Sequence, residues 1–487
     1  MRPTGLGIAV LAAWLALAVA ACGNQGIAPI GPSGGQATPA PGGVVRDYDL
    51  VAVPAVVELK PGLKVQAWTY NGTSPGPQLT GVVGDLLVVR LHNLLPVGTT
   101  LHFHGLDVPN GEDGVAGITQ DAVPPNTTAT YSFRLTQAGT YWYHSHQDSS
   151  VQVDRGLYGA LIVRPRGSSP AGVDQVLIYG DWSLGLEAAT PPAPSDVLMR
   201  SYVTTSVNGL TGDAIRPVAV TAGQPVRLRL INTGHTIRYL QFPLPVTIAA
   251  MDGHELSGGP PTTEAIPLGP AERVDVTFTA PSSAFSIQLV DGFLPDAYAA
   301  VPVQPAGATG PAIPAPANHG VLDLLAYPAR AADNPWPDGT APNKTFSMTL
   351  SEQAMGAMPG MAMDGVQYQI DGEVFPATPT LHVTYGDRVE ITFVNRGSLV
   401  HSMHLHGHFF RVLARDALPL PGALVKDTVE VAPGHSVTIG FLADNPGVWM
   451  IHCHQLIHAA GGMMALLAYD GAPRLAQLGG AFGNSPD

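Results

Sequence analysis

"GDLLVVRLHN", residues 84–93, returns twice with its pattern intact, as "GQPVRLRLIN" (223–232) and "GDRVEITFVN" (386–395). Each copy opens on Gly, carries an alternating apolar face and closes on Asn. Alternation with a period of two marks a strand with one face in a core. Each copy lies downstream of a turn-rich stretch, "YNGTSPGP" (70–77), "SVNGLTGD" (206–213) or "QIDGEVFP" (369–376). Each precedes a second match, "PNTTATYSF" (125–133), "PAERVDVTF" (270–278) or "PGHSVTIGF" (433–441), with Pro first and Phe eight positions later. Three copies of one strand order predict an all-β chain of three similar β-sandwich domains.

The borders fall in turn-rich linkers, "PRGSSPAG" (165–172) and the Pro/Ala-rich 304–344. This divides the chain into domains at 48–166, 173–310 and 345–472, with a linker at 311–344 and a tail at 473–487. Ahead of them, Met1–Ala21 has the basic start and apolar run of a secretory signal, too short for a membrane span. Its ending, Val19-Ala20-Ala21-Cys22, resembles a bacterial lipobox, so lipidation at Cys22 is expected. There is no twin-arginine pair, which points to Sec-type export. Residues 22–47 are Gly/Pro-rich and read as a flexible tether reaching about 25–30 Å. The expected product is exported to the cell envelope, periplasmic or outward-facing, monomeric, and touches the membrane only through that anchor. Of the 487 residues 45% are hydrophobic and 12% charged, and the net charge is −14, with no basic patch to hold nucleic acid.

The chemistry lies in histidine pairs. Random placement of 17 histidines gives about 0.6 His-x-His pairs. There are five, at 102/104, 144/146, 404/406, 406/408 and 452/454. The first repeat holds "LHFHG" (101–105) and "GTYWYHSH" (139–146), the third holds "MHLHG" (403–407) and "GVWMIHCH" (447–454), and the second holds none. Residues i and i+2 of a strand face the same side. Four matched pairs therefore present eight imidazoles, too many for one ion and right for a cluster. His408 is an extra, read as a supporting or surface residue. His92, His235, His254, His319, His382 and His435 match no pattern and read as structural.

Cys453 lies between His452 and His454 and faces the other way. Cys22, in the signal or lipidated, cannot pair with it. A lone thiol in an exported protein is either a buried apolar filler or a metal-held thiolate. His401, His458 and Met463 lie in adjoining segments, and two histidines, a thiolate and a weak Met are the blue-copper set. The thiol would then join two metal sites through its flanking histidines.

HFHG, WYHSH, HSMHLHG and HCHQLIHAAGGM resemble the four copper motifs of the three-domain multicopper oxidases, a family that includes laccases, cuprous oxidases, ascorbate oxidase and bilirubin oxidase. The resemblance covers roughly residues 48–472, with all ten histidines, the cysteine and an axial Met present. It implies three cupredoxin-like Greek-key domains, four copper ions and reduction of O₂ to water. Type 1 copper would take His401, Cys453 and His458, with Met463 axial and Met464 as the neighbouring alternative. Type 2 would take His102 and His404. One type 3 copper would take His104, His144 and His454, and the other His146, His406 and His452. Asp113 of "NGEDG" matches a proton-relaying carboxylate; a plain turn Asp is the alternative. Many relatives carry acids around the last histidine, where this chain has Ile457, Ala459 and Ala460, so no second relay is assigned.

The donor is harder to read. "AMGAMPGMAMDG" (354–365) places Met355, Met358, Met361 and Met363 among small residues at spacings that fit no helix or strand core. Thioethers suit Cu(I). The resemblance implies a cuprous oxidase with such a segment near type 1 and a substrate-binding Asp at Asp427. The first expectation is oxidation of Cu(I), with phenols as further donors. The second is a laccase with purely organic donors. The third, from another class, is a copper-binding or scaffold protein without turnover.

Overall fold

The three phrases form strands Leu86–Asn93, Pro225–Asn232 and Arg388–Asn395 in a computed structural model of the protein. It describes residues 38–182, 204–291, 298–308, 311–314, 320–354 and 366–487. Cys22, His319 and Met355–Met363 lie outside these. Among the described residues the strands gather in six sheets, of four and four strands in the first repeat, seven and five in the second, and seven and five in the third. The chain is an all-β assembly of three cupredoxin-like Greek-key β-sandwiches.

Each phrase pairs the same way three times. Leu86–Asn93 runs parallel to Val45–Lys60 and antiparallel to Thr127–Arg134. Pro225–Asn232 does so with Val173–Trp182 and Arg273–Thr279, and Arg388–Asn395 with Lys344–Ala354 and Ser436–Leu442. The alternating residues (Leu87, Val89 and Leu91; Val226, Leu228 and Leu230; Val389, Ile391 and Phe393) are buried in three separate cores. Phe133, Phe278 and Phe441, which close the second match, fill the same three cores.

The closing Asn has a physical reason. Asn93, Asn232 and Asn395 are fully buried. Each donates from Nδ2 to two carbonyls, those of Val97 and Val123, of Thr236 and Leu268, and of Leu399 and Val431. Each accepts at Oδ1 from the amide two residues on. Each backbone carbonyl also receives the amide of a left-handed turn residue, Asn126, Ala271 or Gly434. One side chain thus closes the strand onto the next turn. Asn395→Ala is expected to cost about 2–4 kcal/mol, since it strips partners from buried polar groups. Denaturant unfolding of the copper-free protein reads this, and a loss under about 1 kcal/mol would deny the Asn that role.

Candidate metal centres

Two strand pairs hold the paired histidines. In the first repeat His102–His104 runs antiparallel to Gly139–His144, setting His102 opposite His144 and His104 opposite Trp142. In the third, His401–Leu405 runs antiparallel to Val448–Cys453, setting His404 opposite His452 and Met403 opposite Cys453. The two repeats face each other, so that His104 stacks on His404 with ring centres 3.9 Å apart and His102 lies 4.2 Å from His406. His146 lies 5.0 Å from His406 and 5.2 Å from His452. All eight imidazoles are buried.

Their ring nitrogens show what the cavity is for. His102, His144 and His404 each turn Nδ1 to a carbonyl, of Asp113, Ser145 and Asp427. Their Nε2 atoms are buried with no partner among the described residues, as are His104 Nδ1, both nitrogens of His146 and His454 Nε2. Burial, and then the neighbouring histidines, pushes His104, His144, His146, His406, His452 and His454 well below the ordinary imidazole range, which favours their neutral form. Each unpaired polar atom costs about 1–3 kcal/mol unless something takes it up. A cluster of metal ions does, and the residues fit one.

Donor atoms converge within 4.8 Å in the sets His146/His406/His452, His102/His404/His406 and His102/His104/His144. His454 falls outside these sets, with its ring 4.8 Å from that of His104. Asp113 bridges the two halves. Both its carboxylate oxygens lie 3.1 Å from His406 Nδ1, and Oδ1 lies 3.2 Å from His102 Nδ1.

The second centre is built from the far face of Val448–Cys453. Cys453 Sγ lies 3.8 Å from His401 Nδ1 and 3.5 Å from His458 Nδ1, and the two nitrogens are 3.1 Å apart. After His454 the chain makes a short helix, Leu456–Ala460, that brings His458 back over the sulfur. Gly461 and Gly462 then reverse it, and a Cβ at Gly462 would meet Val374 at 2.6 Å. The reversal returns Met463, whose carbonyl accepts from Cys453 N at 3.1 Å. Met463 shares the Cys453 core, whereas Met464 packs in a separate cluster with Val115 and Met450. Burial pushes the thiol up to about 12, so a thiolate here requires a cation beside it. A neutral His₂ set with that sulfur and a thioether suits copper.

Two residues at this centre carry no signal in the motifs. Glu352 Oε1 lies 3.0 Å from His401 Nε2, and its carboxylate accepts from the amides of Ser398 and Leu399. Tyr368 stacks on His458 at 4.1 Å. Glu352 and Tyr368 are cross-strand partners near the end of one hairpin, whose connecting segment is 355–365. An acid three residues before the first methionine of the run was the hint available.

Asp427 needs correction. It was expected to bind substrate, yet its side chain is 1% exposed and gripped by Arg273. Its Oδ1 lies 3.1 Å from His104 Nε2, so it belongs to the histidine cluster, out of a donor's reach. Comparing the repeats could have found Arg273, because "PAERVDVTF" has Arg where the other copies have Thr128 and Ser436. His408 is buried, not at the surface, with Nδ1 donating to the His406 carbonyl and Nε2 2.7 Å from the Tyr469 hydroxyl.

Two family models described as multicopper oxidase match residues 54–168 and 340–472. The chain is 31% identical over 457 residues to multicopper oxidase MmcO of Mycobacterium tuberculosis, covering 86% of each protein. It is 27% identical over 503 residues to laccase-2 of Botryotinia fuckeliana, covering 86% of this chain and 81% of that one. The crystal structure of a multi-copper oxidase from Pseudomonas thermotolerans superposes with a TM-score of 0.69 at 29% identity, covering 88% of this chain and all of that one.

Proposed function

The chain belongs to the multicopper oxidases, oxidoreductases that use copper, and from that premise we propose that it couples oxidation of Cu(I) at the cysteine centre to reduction of O₂ at the histidine cluster. Four ions per chain are held as follows. His401, Cys453, His458 and Met463 hold type 1. His102 and His404 hold type 2. His104, His144 and His454 hold one type 3 ion, and His146, His406 and His452 the other. Copper so bound supplies one-electron acceptance from donors and conversion of O₂ to water.

The protein's own residues do the rest. Cys453 is bonded through the backbone to His452 and His454, so the two centres are joined by a short covalent path. Asp113 accepts Nδ1–H of His406 with its carboxylate and that of His102 with its backbone carbonyl, orienting one ring from each half and offering a carboxylate where protons are consumed. Burial of all eight imidazoles excludes bulk water from the cluster.

The observation that carries the donor reading is the hairpin. Its two strands place Glu352 on His401 and Tyr368 on His458, and the segment between them, 355–365, bears Met355, Met358, Met361 and Met363. Soft thioethers collect Cu(I), and the Glu352 carboxylate favours a cation beside the electron-accepting edge of His401. Copper resistance proteins among the relatives, such as the copper resistance protein A homolog of Pseudomonas syringae pv. tomato, support a copper substrate. Laccases among the relatives support organic donors as the second reading.

Oxygen uptake with Cu(I) and with a methoxyphenol, measured in parallel on copper-loaded wild type and on a variant lacking residues 354–365, tests this. The expected result is fast uptake with Cu(I) that the deletion abolishes while phenol oxidation survives. Slow uptake with Cu(I) beside fast uptake with the phenol would favour the organic-donor reading, and a deletion that spares Cu(I) oxidation or impairs both donors equally would deny the methionine segment its collecting role. Wild type with full copper and no uptake would leave only a copper-binding protein.

A further inference from the structure

The second repeat supplies no histidine to either centre, yet one of its side chains reaches the cluster. Arg273, on strand Arg273–Thr279, is fully buried. It donates from Nη1 to Asp427 Oδ1 at 2.8 Å and from Nη2 to Oδ2 at 2.5 Å, a two-pronged contact that fixes the plane of the carboxylate. Its Nε donates to the carbonyl of Thr140, on the strand that carries His144, and Nη1 also reaches the Ala271 carbonyl. One guanidinium therefore touches all three repeats. The Gly of HFHG leaves it room, since a Cβ on Gly105 would lie 2.2 Å from Arg273 Nη2.

Asp427 is the contact that matters. Its backbone carbonyl takes Nδ1 of His404 at 2.8 Å, and its Oδ1 takes Nε2 of His104 at 3.1 Å. His104 is thereby turned the opposite way from His102, His144 and His404. Those three hold Nδ1 and leave Nε2 free, whereas His104 holds Nε2 and leaves Nδ1 free. The carboxylate that imposes this reversal is itself placed by Arg273, 154 residues away in the repeat without ligands.

We propose that Arg273 is a positioning residue of the oxygen-reducing cluster: by locking Asp427 it fixes which nitrogen of His104 faces the metal and how His404 is tilted. The ligand-free repeat thus sets the cluster's geometry. This rests on the copper assignment above.

The test compares copper-loaded wild type with Arg273→Lys, which keeps the charge and loses the planar fork. Arg229→Lys is the control. Arg229 is another inter-repeat arginine, donating to the Thr140 hydroxyl, Asp174 and Asp275, and it touches no carboxylate that holds a copper ligand. The readouts are the type 2 electron paramagnetic resonance spectrum, the rate of copper loss to a chelator, and the blue type 1 absorption as an internal check of folding. Arg273→Lys is expected to alter the type 2 spectrum and weaken retention of cluster copper by about 10–100-fold, the usual range when a ligand's outer partner is lost, with blue absorption intact. Arg229→Lys is expected to lower the melting temperature and leave both cluster readouts as in wild type. An unchanged type 2 spectrum and copper retention in Arg273→Lys would overturn the inference, as would equal changes in Arg229→Lys. Should Arg273→Lys fail to fold, Asp427→Asn serves, with the same cluster-confined change expected and an unchanged spectrum overturning the proposal. Wild type that binds no copper would sink the copper assignment itself.

Discussion

Cys453→Ser is expected to erase the blue absorption, remove one copper per chain and bring oxygen uptake with either donor to background. A hydroxyl at that position is nearly the same size as the thiol, and the site is fully buried, so the β-sheet should survive the change. What it cannot do is donate a soft, polarisable thiolate. The sulfur is also the only atom of the centre that leads through the backbone straight to two cluster histidines, His452 and His454. Losing it removes both electron acceptance and the covalent route onward. The cluster itself, built on the opposite face of the strand, should keep its copper and its type 2 spectrum. Absorption, copper content and oxygen uptake on one preparation check this. Uptake within about tenfold of wild type would mean that electrons reach the cluster without the cysteine centre, and the two-site reading would fall.

Asp113→Asn is expected to lower kcat by about 10²–10⁴-fold, the range typical of a lost acid–base group, while leaving reduction of the type 1 centre as fast as in wild type. The side chain is 1% exposed and sits in a tight turn just after Asn110–Glu112. Gly114 follows with φ +77°, and a Cβ there would meet the Leu101 carbonyl at 2.0 Å, so the turn has one shape. That shape puts the carboxylate against His406 of the third repeat and His102 of the first. Asn retains one acceptor oxygen and so spares much of the packing, but it cannot take up and release a proton. Rapid mixing separates the effects, with bleaching of the blue colour by donor without oxygen, then its return when O₂ is added. Only the second limb should slow. Equal slowing of both limbs would make Asp113 a structural turn residue, and Asp113→Glu should recover part of the rate if the carboxylate itself is what matters.

The expectation for Asp427 failed for a reason that applies to charged residues generally. The resemblance implies a substrate-binding carboxylate in "VKDTV", and nothing in that local pattern says that its charges are buried. In the fold Lys426, Asp427 and Thr428 are all buried, because partners from the second repeat neutralise them. Lys426 pairs with Asp252 and Glu272, and Asp427 pairs with Arg273. No local pattern announces a buried ion pair, since its physical condition, a matching charge without water, is met only after the repeats dock. Glu352 is the same case at shorter range. It lies 49 residues from His401 and becomes its neighbour only when strand Lys344–Ala354 packs beside strand His401–Leu405.

What the sequence determined by itself was everything with a local cause. Strand alternation puts residues i and i+2 on one face and i+1 on the other, so four His-x-His pairs, one of them His-Cys-His, suffice to define a cluster, a separate sulfur on the opposite face and the link between them. The repeated Gly, Asn and Phe positions specify three like sandwiches, because each answers a need within one sandwich: a turn, a closed strand end, a filled core. What only the tertiary structure decided was whatever joins repeats. That includes the stacking of His104 on His404, the bridge made by Asp113, the hairpin that sets Glu352 and Tyr368 against His401 and His458, and the guanidinium of Arg273. Those contacts span 323 residues between His104 and Asp427, and at such separations the chain encodes which partners are possible while docking of the repeats selects which ones meet.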